Sequence, residues 1–559
     1  MDKISLRKSW EIIETEPDRR GHPGVTPMRF RLVLPALLAC MASPALADDL
    51  AFVNRLTWGQ TAQGDTLNGK SRQAWLQEQL HPGDDGLPGE VQAAIAAMEI
   101  SQRPLEEIAV ETRQMQLAIR DTRKNAKADG TADDKADLKD AIRPYRQKLV
   151  SLAVQAQTRS LLRDLYSKNQ LKEQLTWFWL NHFNVYARKG QIAALVGDYE
   201  ETAIRPHVLG KFRDILTATV FHPAMIQYLD NQQNAADKIN ENYAREIMEL
   251  HTMGVGSGYT QKDVQELARI LTGVGVNLSG KPRPFAGLAR ADYRTDVGKG
   301  GLFEFIPRRH DYGDKVFLGQ TIKGSGIDEV TRAIDILSRQ PATARFISRQ
   351  LAQYFCCDAP PDPLVDQMAA TWKRTDGDIA DVLKTLFDSR EFNQSLGKKF
   401  KDPMHYVLSA IRATYGGQVI KNPLPLIAWL NRMGETPYGH ETPDGYPLTA
   451  ASWSGPGEMA TRFEIAQQIG HGAQGLFTPI TPEMLARLRA NLQAGPVGTN
   501  LQTILQGDLQ DGAPALQQTA YYTQLSPTLS QATSNAIAQG ASQADRNALV
   551  LSSPEFMRR

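Results

Sequence analysis

The stretch INENYAREIMELHTMG, residues 239–254, concentrates side chains that could perform acid–base chemistry. Glu246 and Glu249 are separated by about one turn of a helix, so both carboxylates could face the same cleft. Asp230, in the preceding segment YLDNQQN, is a third candidate carboxylate. Two positioned carboxylates can act as general acid and general base in hydrolysis, as they do in glycosidases. We therefore predict that these three carboxylates are catalytic, together with His182.

The other polar residues of this stretch are typical either of substrate binding or of a solvated surface. On an ideal helix, Asn242 and Arg245 share a polar face with the two glutamates, opposite an apolar arc. Arg245 could also form i,i+4 ion pairs with Glu241 and Glu249, which are common on exposed helices. A third interpretation is an internal polar network with a purely structural role. The residues predicted to bind substrate are Arg205, Arg245, Asn242 and His222.

Three histidines lie in apolar sequence contexts. His182 lies in WFWLNHF, His222 opens FHPAMIQYLDN, and His251 falls in the middle of the apolar arc just described. Two or three of them on one site would supply metal ligands or an acid–base pair. The alternative is that they are core histidines bonded to backbone carbonyls. We name His182 and His251 as the ligands if a divalent metal is bound, although no HExxH motif occurs.

Composition excludes several other classes of function. The 559 residues carry a formal net charge of +1, so we expect no nucleic-acid partner. Three cysteines are too few for a disulfide framework or a zinc site built on CxxC pairs. No GxSxG motif occurs, and no phosphate-binding loop or dinucleotide-binding GxGxxG lies in a βαβ context. No transmembrane span is expected, because no apolar run approaches about 18 residues.

We interpret residues 1–47 as an upstream extension followed by a signal peptide. Met28 is followed by basic residues, then by LVLPALLACMAS and a small-residue motif that ends at Ala47. Translation is therefore expected to start at Met28 and cleavage to follow Ala47, which makes the protein periplasmic or secreted. The alternative is a lipoprotein signal, in which a lipid on Cys40 anchors the chain to a membrane.

The rest of the chain predicts an all-α protein, with a large multi-helix body, irregular loop insertions and a small β-hairpin. Residues 171–183, LKEQLTWFWLNHF, are apolar on every side near their end, as in a helix buried all round. Residues 277–325 are rich in Gly, Pro and Arg and contain the strand-like pieces LFEFI and KVFLG, so we interpret them as a loop with the hairpin. We expect a main helical domain at 48–475 and a C-terminal helical segment at 476–559 packed on it.

Successive blocks of the chain resemble one large bacterial family, the domain-of-unknown-function family 1800. They include FWLNHFNVY, HPAMIQYLDN, NENYAREIMELHTMGVGSGYTQKDVQELARILTG and PATARFISRQLAQYF, and they cover essentially all of the chain after the predicted signal peptide. The resemblance implies export but no established reaction. It also implies an exported hydrolase encoded nearby as a partner, because members often lie beside a second exported family that resembles alkaline-phosphatase-type hydrolases. Leu180 stands where a histidine is common and Val274 where a tryptophan is common, which weakens the expectation of a metal.

Two functions are compatible with these observations. The first is an exported hydrolase of an envelope or extracellular polymer, with its site between the helices that carry the predicted residues and beside the loop 277–325. The second is a non-catalytic envelope scaffold, or partner of a neighbouring exported hydrolase, in which loops at 421–460 bind the partner. A cleft with unpaired carboxylates and a histidine favours the enzyme, whereas fully paired charges without a cleft favour the scaffold.

Overall fold

The fold is mostly helical, which confirms the all-α prediction. The computed structural model describes residues 44–125, 132–280, 301–479 and 512–559. The predicted extension, the start at Met28 and the alternative lipid site at Cys40 lie outside the described residues. The residues described from 44 onward belong to one compact unit.

The α-helices of the described residues are numbered α1 to α23 in chain order. They are Pro44–Leu56, Arg72–Leu80, Gly89–Ala96, Glu99–Gln102, Leu105–Asn125, Ala132–Tyr166, Gln170–His182, Val196–Asp198, Phe212–Val220, Pro223–Tyr228, Asn242–Glu246, Gln261–Ile270, Asp328–Ser338, Pro341–Phe355, Asp362–Thr375, Ile379–Phe387, Arg390–Ser395, Pro403–Tyr415, Leu424–Arg432, Pro456–Gly470, Ala520–Leu525, Gln531–Ala538 and Gln543–Leu551. Two further segments, Tyr199–Ile204 and Ile247–Thr252, are π-helical.

Two helices form where local sequence signals are strongest. α7 covers almost the same residues as the apolar stretch 171–183 that is predicted to be buried. Every residue of α7 except Lys172 is buried. α12 begins after Thr260, whose side chain accepts a hydrogen bond from the Asp263 backbone N–H while the Asp263 carboxylate accepts one from Thr260. This reciprocal capping box satisfies two donors that a helix start leaves free, so the helix begins at a defined residue.

Four short strands form two separate antiparallel pairs. β1, Val274–Val276, pairs with β2, Phe303–Phe305, and β3, Lys315–Phe317, pairs with β4, Gln320–Ile322. The second pair is a small hairpin within the region 277–325 where one is predicted, but it forms from KVF and QTI and not from KVFLG with LFEFI. Its turn has φ of +47° at Leu318 and +76° at Gly319, the left-handed values that a two-residue hairpin turn requires. The piece LFEFI pairs instead with β1, and residues 281–300 of the predicted loop lie outside the described residues.

The C-terminal segment packs on the main helical body. α23 lies against α20, and the Asn547 side-chain amide donates to the carbonyl oxygens of Gly470 (3.0 Å) and Pro514 (2.7 Å). A Cβ at Gly470 would lie 2.9 Å from the Ala544 carbonyl oxygen, so glycine permits this close approach. Residues 480–511 of the segment lie outside the described residues.

One buried guanidinium joins segments that are far apart in the sequence. Arg55, in α1, donates to the carbonyl oxygens of Phe355 (2.8 Å), Ser395 (2.5 Å) and Arg559 (2.6 Å). Arg559 in turn donates to the Tyr354 carbonyl oxygen at 2.9 Å. Because Arg55 is completely enclosed, burial lowers its pKa to about 9. The buried charge therefore depends on backbone oxygens from three distant segments.

Among residues 44–125, 132–280, 301–479 and 512–559, no helix is long and apolar enough to cross a membrane.

Candidate active-site cleft

A surface cleft of about 640 Å³ lies at the C-terminal end of α7. Its other walls are the π-helical turn 247–252 with the glycine-rich loop that follows, α14, and the loop around residues 444–448. The polar side chains that line it include His182, Glu249, Arg345, Arg349, Asp444 and Tyr446. The described part of the loop 277–325 does not line this cleft, although the sequence suggested that it would border the site.

Two asparagines of the α7 end hold the loop that forms one wall of the cleft. The Asn181 side chain donates to the Tyr446 carbonyl oxygen at 2.9 Å and accepts from the Tyr446 N–H at 2.6 Å. Asn184 donates to two carbonyl oxygens of the same loop, at 3.0 and 2.7 Å. Gly445 has φ of +71°, and a Cβ there would lie 2.2 Å from the Asn181 carbonyl oxygen. The wall is therefore fixed by a close approach that only glycine permits.

The helix of the opening stretch changes its hydrogen bonding at the cleft. It is α-helical only to Glu246 and π-helical over Ile247–Thr252, which corrects the prediction of one α-helix through this stretch. The Thr252 hydroxyl donates to the carbonyl oxygen of Ile247, five residues earlier, at 2.7 Å. The wider turn places Glu249 at the cleft and leaves His251 buried at 2% exposure. π-helical turns of this kind are frequent at functional sites.

His182 presents a neutral imidazole to the cleft. Its Nε2 lies 3.0 Å from the His251 carbonyl oxygen, so Nε2 carries the proton and Nδ1 keeps a free lone pair. Nδ1 makes no hydrogen bond within the described residues and is not sealed inside the protein. Burial lowers the pKa of His182 to about 4, so the ring is uncharged at neutral pH. Nδ1 can accept a proton or a hydrogen bond from a hydroxyl group or a water in the cleft.

The donor set around His182 and His251 does not fit a metal ion. Their ring centroids are 6.0 Å apart, and the Nε2 of His182 is already bonded to the backbone. Burial lowers the pKa of His251, and its Nε2 is enclosed without a hydrogen-bond partner in the described part of the chain. No group of three or more His, Cys, Asp or Glu side chains there is arranged to hold a metal. Two histidines alone leave a typical site short of ligands.

Glu246 and Glu249 lie in different environments although they are one turn apart. Glu249 accepts a hydrogen bond from Arg245 at 3.2 Å, whereas Glu246 forms no hydrogen bond or ion pair with other described residues. Burial, followed by the nearby charges of Glu249 and Asp444, raises the pKa of Glu246. Burial and then Glu249 also raise the pKa of Tyr259, at the same edge, to about 12. Two carboxyl groups in such different environments can act one as an acid and the other as a base.

Two arginines also line the cleft. Arg345 and Arg349 project from α14, and both pair with Asp362 of α15, at 2.9 and 2.5 Å. Arg345 also pairs with Asp366. All four side chains are well exposed, so these pairs hold the guanidinium groups only weakly in place. The cleft is therefore lined by carboxylates and guanidinium groups as well as by His182.

Arg245 and Asn242 lie at the surface beside the cleft. Arg245 donates to Glu241 at 3.1 Å, to Glu249 at 3.2 Å and to Gln261 at 2.8 Å. Asn242 is exposed, and its side chain donates to the Leu229 carbonyl oxygen at 3.2 Å. Neither side chain lines the cleft, but Arg245 positions Glu249 within it.

Arg205 lies in a separate, enclosed network. Its guanidinium pairs with Glu173, Glu200 and, at 3.2 Å, Glu201, and it is only 6% exposed. The Tyr438 hydroxyl donates to the second oxygen of Glu200. This is an internal polar network of the kind that the sequence suggested, but in a different place, and Arg205 lines neither the cleft nor the cavity that contains Asp230.

His222 and Asp230 are also placed away from the cleft. His222 caps α10, where its Nδ1 accepts from the Ala224 N–H at 3.1 Å, and its Nε2 lies 3.0 Å from an Asp198 oxygen. Asp230 has φ of +59° and pairs with Lys189 at 2.8 Å. It lines a second cavity that shares no residue with the cleft. Of the residues predicted to be catalytic, the structure brings His182 and Glu249 to the cleft, but not Asp230. Glu246 lies one turn before Glu249 and is not a lining residue, although the charges of Glu249 and of Asp444 in the cleft wall act on it.

Sequence reasoning missed the residues that complete the cleft. Asp444 lies in the turn-rich segment PDGYP, and Arg345 and Arg349 lie in the block PATARFISRQ. The first segment lies in the loops expected to bind a partner, and the second was quoted only for the family resemblance. Neither is close in the sequence to residues 239–254. Charged residues in a loop or at the start of a helix carry no information about which segments meet in space.

Comparison with known proteins assigns the chain to a family without assigning a reaction. No curated protein matches the chain, and no solved structure matches it. A family model for a protein of unknown function, DUF1800, matches residues 51–558, which is nearly the whole chain. The protein belongs to this DUF1800 family.

Proposed function

We propose that the protein is an exported hydrolase that cleaves an envelope or extracellular polymer with Glu246 as general acid and Glu249 as general base. The observation that carries the proposal is the contrast between the two carboxyl groups. Glu246 has a raised pKa and no partner among the described residues, whereas Glu249 is held by Arg245. A group that keeps its proton to higher pH suits proton donation to a leaving group.

Other residues that line the cleft have roles consistent with this chemistry. The neutral His182 can accept a hydrogen bond at Nδ1 from a substrate hydroxyl or from the attacking water. Arg345 and Arg349 can exchange their exposed aspartate partners for polar groups of the substrate. A cleft of about 640 Å³ admits a few units of a polymer rather than a whole chain.

Export supports the choice of a polymer substrate. The residues before Asp48 have the pattern of a signal peptide, and an exported hydrolase meets the polymers of the envelope or its surroundings. The proposed location is the periplasm or the extracellular space.

The test is hydrolysis of purified envelope polymers by protein produced from the full coding sequence. Peptidoglycan sacculi and extracellular polysaccharide are incubated with the protein, and released fragments are measured by mass spectrometry. Glu246→Gln and Glu249→Gln are expected to lower the rate by about 100-fold or more. Glu464→Gln is the control, because Glu464 is exposed, pairs with Arg432 and does not line the cleft. Full activity in folded Glu246→Gln and Glu249→Gln proteins would falsify the assignment.

A non-catalytic scaffold, or a partner of a neighbouring exported hydrolase, is the second proposal. It is supported by the Arg205 network, in which buried charges pair with one another and face no cavity. The same experiment separates the two proposals. No release of fragments from any polymer, together with co-purification of an exported hydrolase, would favour the scaffold.

A further inference from the structure

A second cavity, of about 710 Å³, lies on a different part of the molecule from the cleft. It is enclosed by α5, the segment 189–192, the residues that follow α10, and the β1–β2 pair. No residue that lines it also lines the cleft. Five of its lining residues carry the same neutral amide side chain: Gln116, Gln191, Gln227, Gln232 and Gln233.

Two of these amides are buried and lack partners in the described residues. Gln191 is 4% exposed and Gln227 is 9% exposed, yet neither side chain forms a hydrogen bond there. The Oε1 of Gln191 and the Nε2 of Gln227 are sealed from solvent, while the other polar atom of each amide is not. A buried amide without a hydrogen-bond partner is costly, so native proteins rarely keep one without a ligand, a water or a functional role.

The cationic side chains of the cavity, Arg113 among them, already donate hydrogen bonds to other residues. Lys189 pairs with Asp230 at 2.8 Å. The Arg309 guanidinium donates to the carbonyl oxygens of Gln232 (2.8 Å) and Asn234 (3.1 Å). An anion would have to displace these partners, so the cavity is suited to a neutral polar ligand.

The backbone also holds an unusual conformation at this cavity. Asp230 has φ of +59°, which is uncommon for a residue other than glycine, although aspartate tolerates it better than most. The conformation begins the turn from which Gln232 and Gln233 reach the cavity. Backbone strain of this kind clusters at binding sites.

We propose that this cavity binds a neutral saccharide through Gln191 and Gln227. A sugar hydroxyl both donates and accepts hydrogen bonds, and an amide offers a donor and an acceptor side by side. The apolar side chains of Leu117, Ile192 and Ile306 border the amides and can contact the C–H faces of a sugar ring. None of the described lining residues is aromatic, so the sugar is held by its hydroxyl groups and not by ring stacking. The proposal is independent of the hydrolytic cleft.

The experiment measures binding of cellotriose, maltotriose and chitotriose to the full chain by saturation-transfer difference NMR and calorimetric titration. We expect one of the three to bind, and Gln191→Leu with Gln227→Leu to weaken its affinity by about tenfold or more. Leucine is close in shape to glutamine, and these amides have no hydrogen bond within the described residues to lose. The thermal midpoint should therefore be unchanged or raised.

Gln531→Leu is the matched control, because Gln531 lies in α22 outside the cavity and pairs with Asn535 at the surface. The control should bind the saccharide as the wild-type protein does. The proposal is overturned if none of the three saccharides binds, if the double variant binds as tightly as the wild type, or if trialanine displaces the saccharide. If the wild-type protein binds no saccharide and the double variant unfolds several degrees lower, the amides are instead hydrogen-bonded to enclosed water.

Discussion

The imidazole of His182 donates through Nε2 to the backbone carbonyl of His251, at 3.0 Å across the wall of the cleft. This bond joins the end of α7 to the π-helical turn and leaves Nδ1 as the only free acceptor of the ring. It therefore fixes both the orientation and the tautomer of the histidine.

The stability of the protein should fall as the pH is lowered through the range in which His182 titrates. The pKa is lowered from its ordinary value of 6.5 to about 4, so the unfolded chain binds a proton that the folded protein does not. The contribution of the neutral His182 to the free energy of unfolding is fully present above pH 6.5. It is lost as the pH falls towards 4, and the loss is about 3 kcal/mol. Urea unfolding at several pH values measures it. His182→Gln should remove this part of the pH dependence, and an unchanged profile in that variant would contradict the prediction.

Glu246→Gln should stabilise the protein while it removes the proposed activity. Burial and the charges of Glu249 and Asp444 raise the pKa of Glu246, so the ionised form is disfavoured in the folded state at neutral pH. Neutralising it relieves that penalty. In thermal unfolding, the midpoint of the variant should exceed that of the wild type by more at pH 7 than at pH 4. Glu241→Gln is the matched control, because it removes an ion pair with Arg245 and should not raise the midpoint. Equal effects of the two variants would contradict the prediction.

Arg205→Met should destabilise the protein by about 3–5 kcal/mol, because it leaves Glu173 and Glu200 buried without a counter-charge. Denaturant unfolding measures the loss. Adding Glu173→Gln to the same chain should restore part of it. Arg339→Ala provides the comparison, since Arg339 and its partner Asp376 are both 61% exposed and the change should cost less than about 1 kcal/mol. Similar losses at both positions would show that burial of the network has no energetic weight.

Gly445→Ala should disturb the cleft wall far more than the backbone angle alone predicts. Gly445 has φ of +71° and Gly69 has φ of +72°, so alanine is strained at both. Only at Gly445 does the new Cβ meet another atom, the Asn181 carbonyl oxygen. The difference between the two variants in free energy of unfolding isolates this contact and should exceed about 1 kcal/mol. If Gly69→Ala costs as much, the close approach does not constrain the loop.

Much of the fold could be predicted because the signals are local. The apolar run of α7 and the Thr260 capping box each specify an element within a few residues. The π-helical turn could not be predicted in this way, because one extra residue per turn shifts side chains without changing the composition. The burial of His251 was expected from its place on the apolar arc. His251 is buried in the structure even though the turn is π-helical.

The candidate site could be predicted only in part. Glu246 and Glu249 were recognised from their spacing, which is a local property. Asp444 and Arg345 join them only through contacts between segments that are distant in the sequence. Arg205 shows the reverse case, in which a predicted site residue lies elsewhere. Its place near histidines in the sequence suggests a substrate-binding group, but the structure encloses it among carboxylates in the interior.

The hydrogen bonds of Arg55 have a consequence for how the chain acquires its structure. A chain that emerges from its N-terminal side presents residue 55 long before residues 355, 395 and 559. Until the last of these arrives, the guanidinium must remain hydrated, and the surrounding apolar surface stays exposed. Contacts between such distant residues slow folding and prolong the lifetime of aggregation-prone intermediates. The surroundings of Arg55 can therefore be completed only when the last residues of the chain are available.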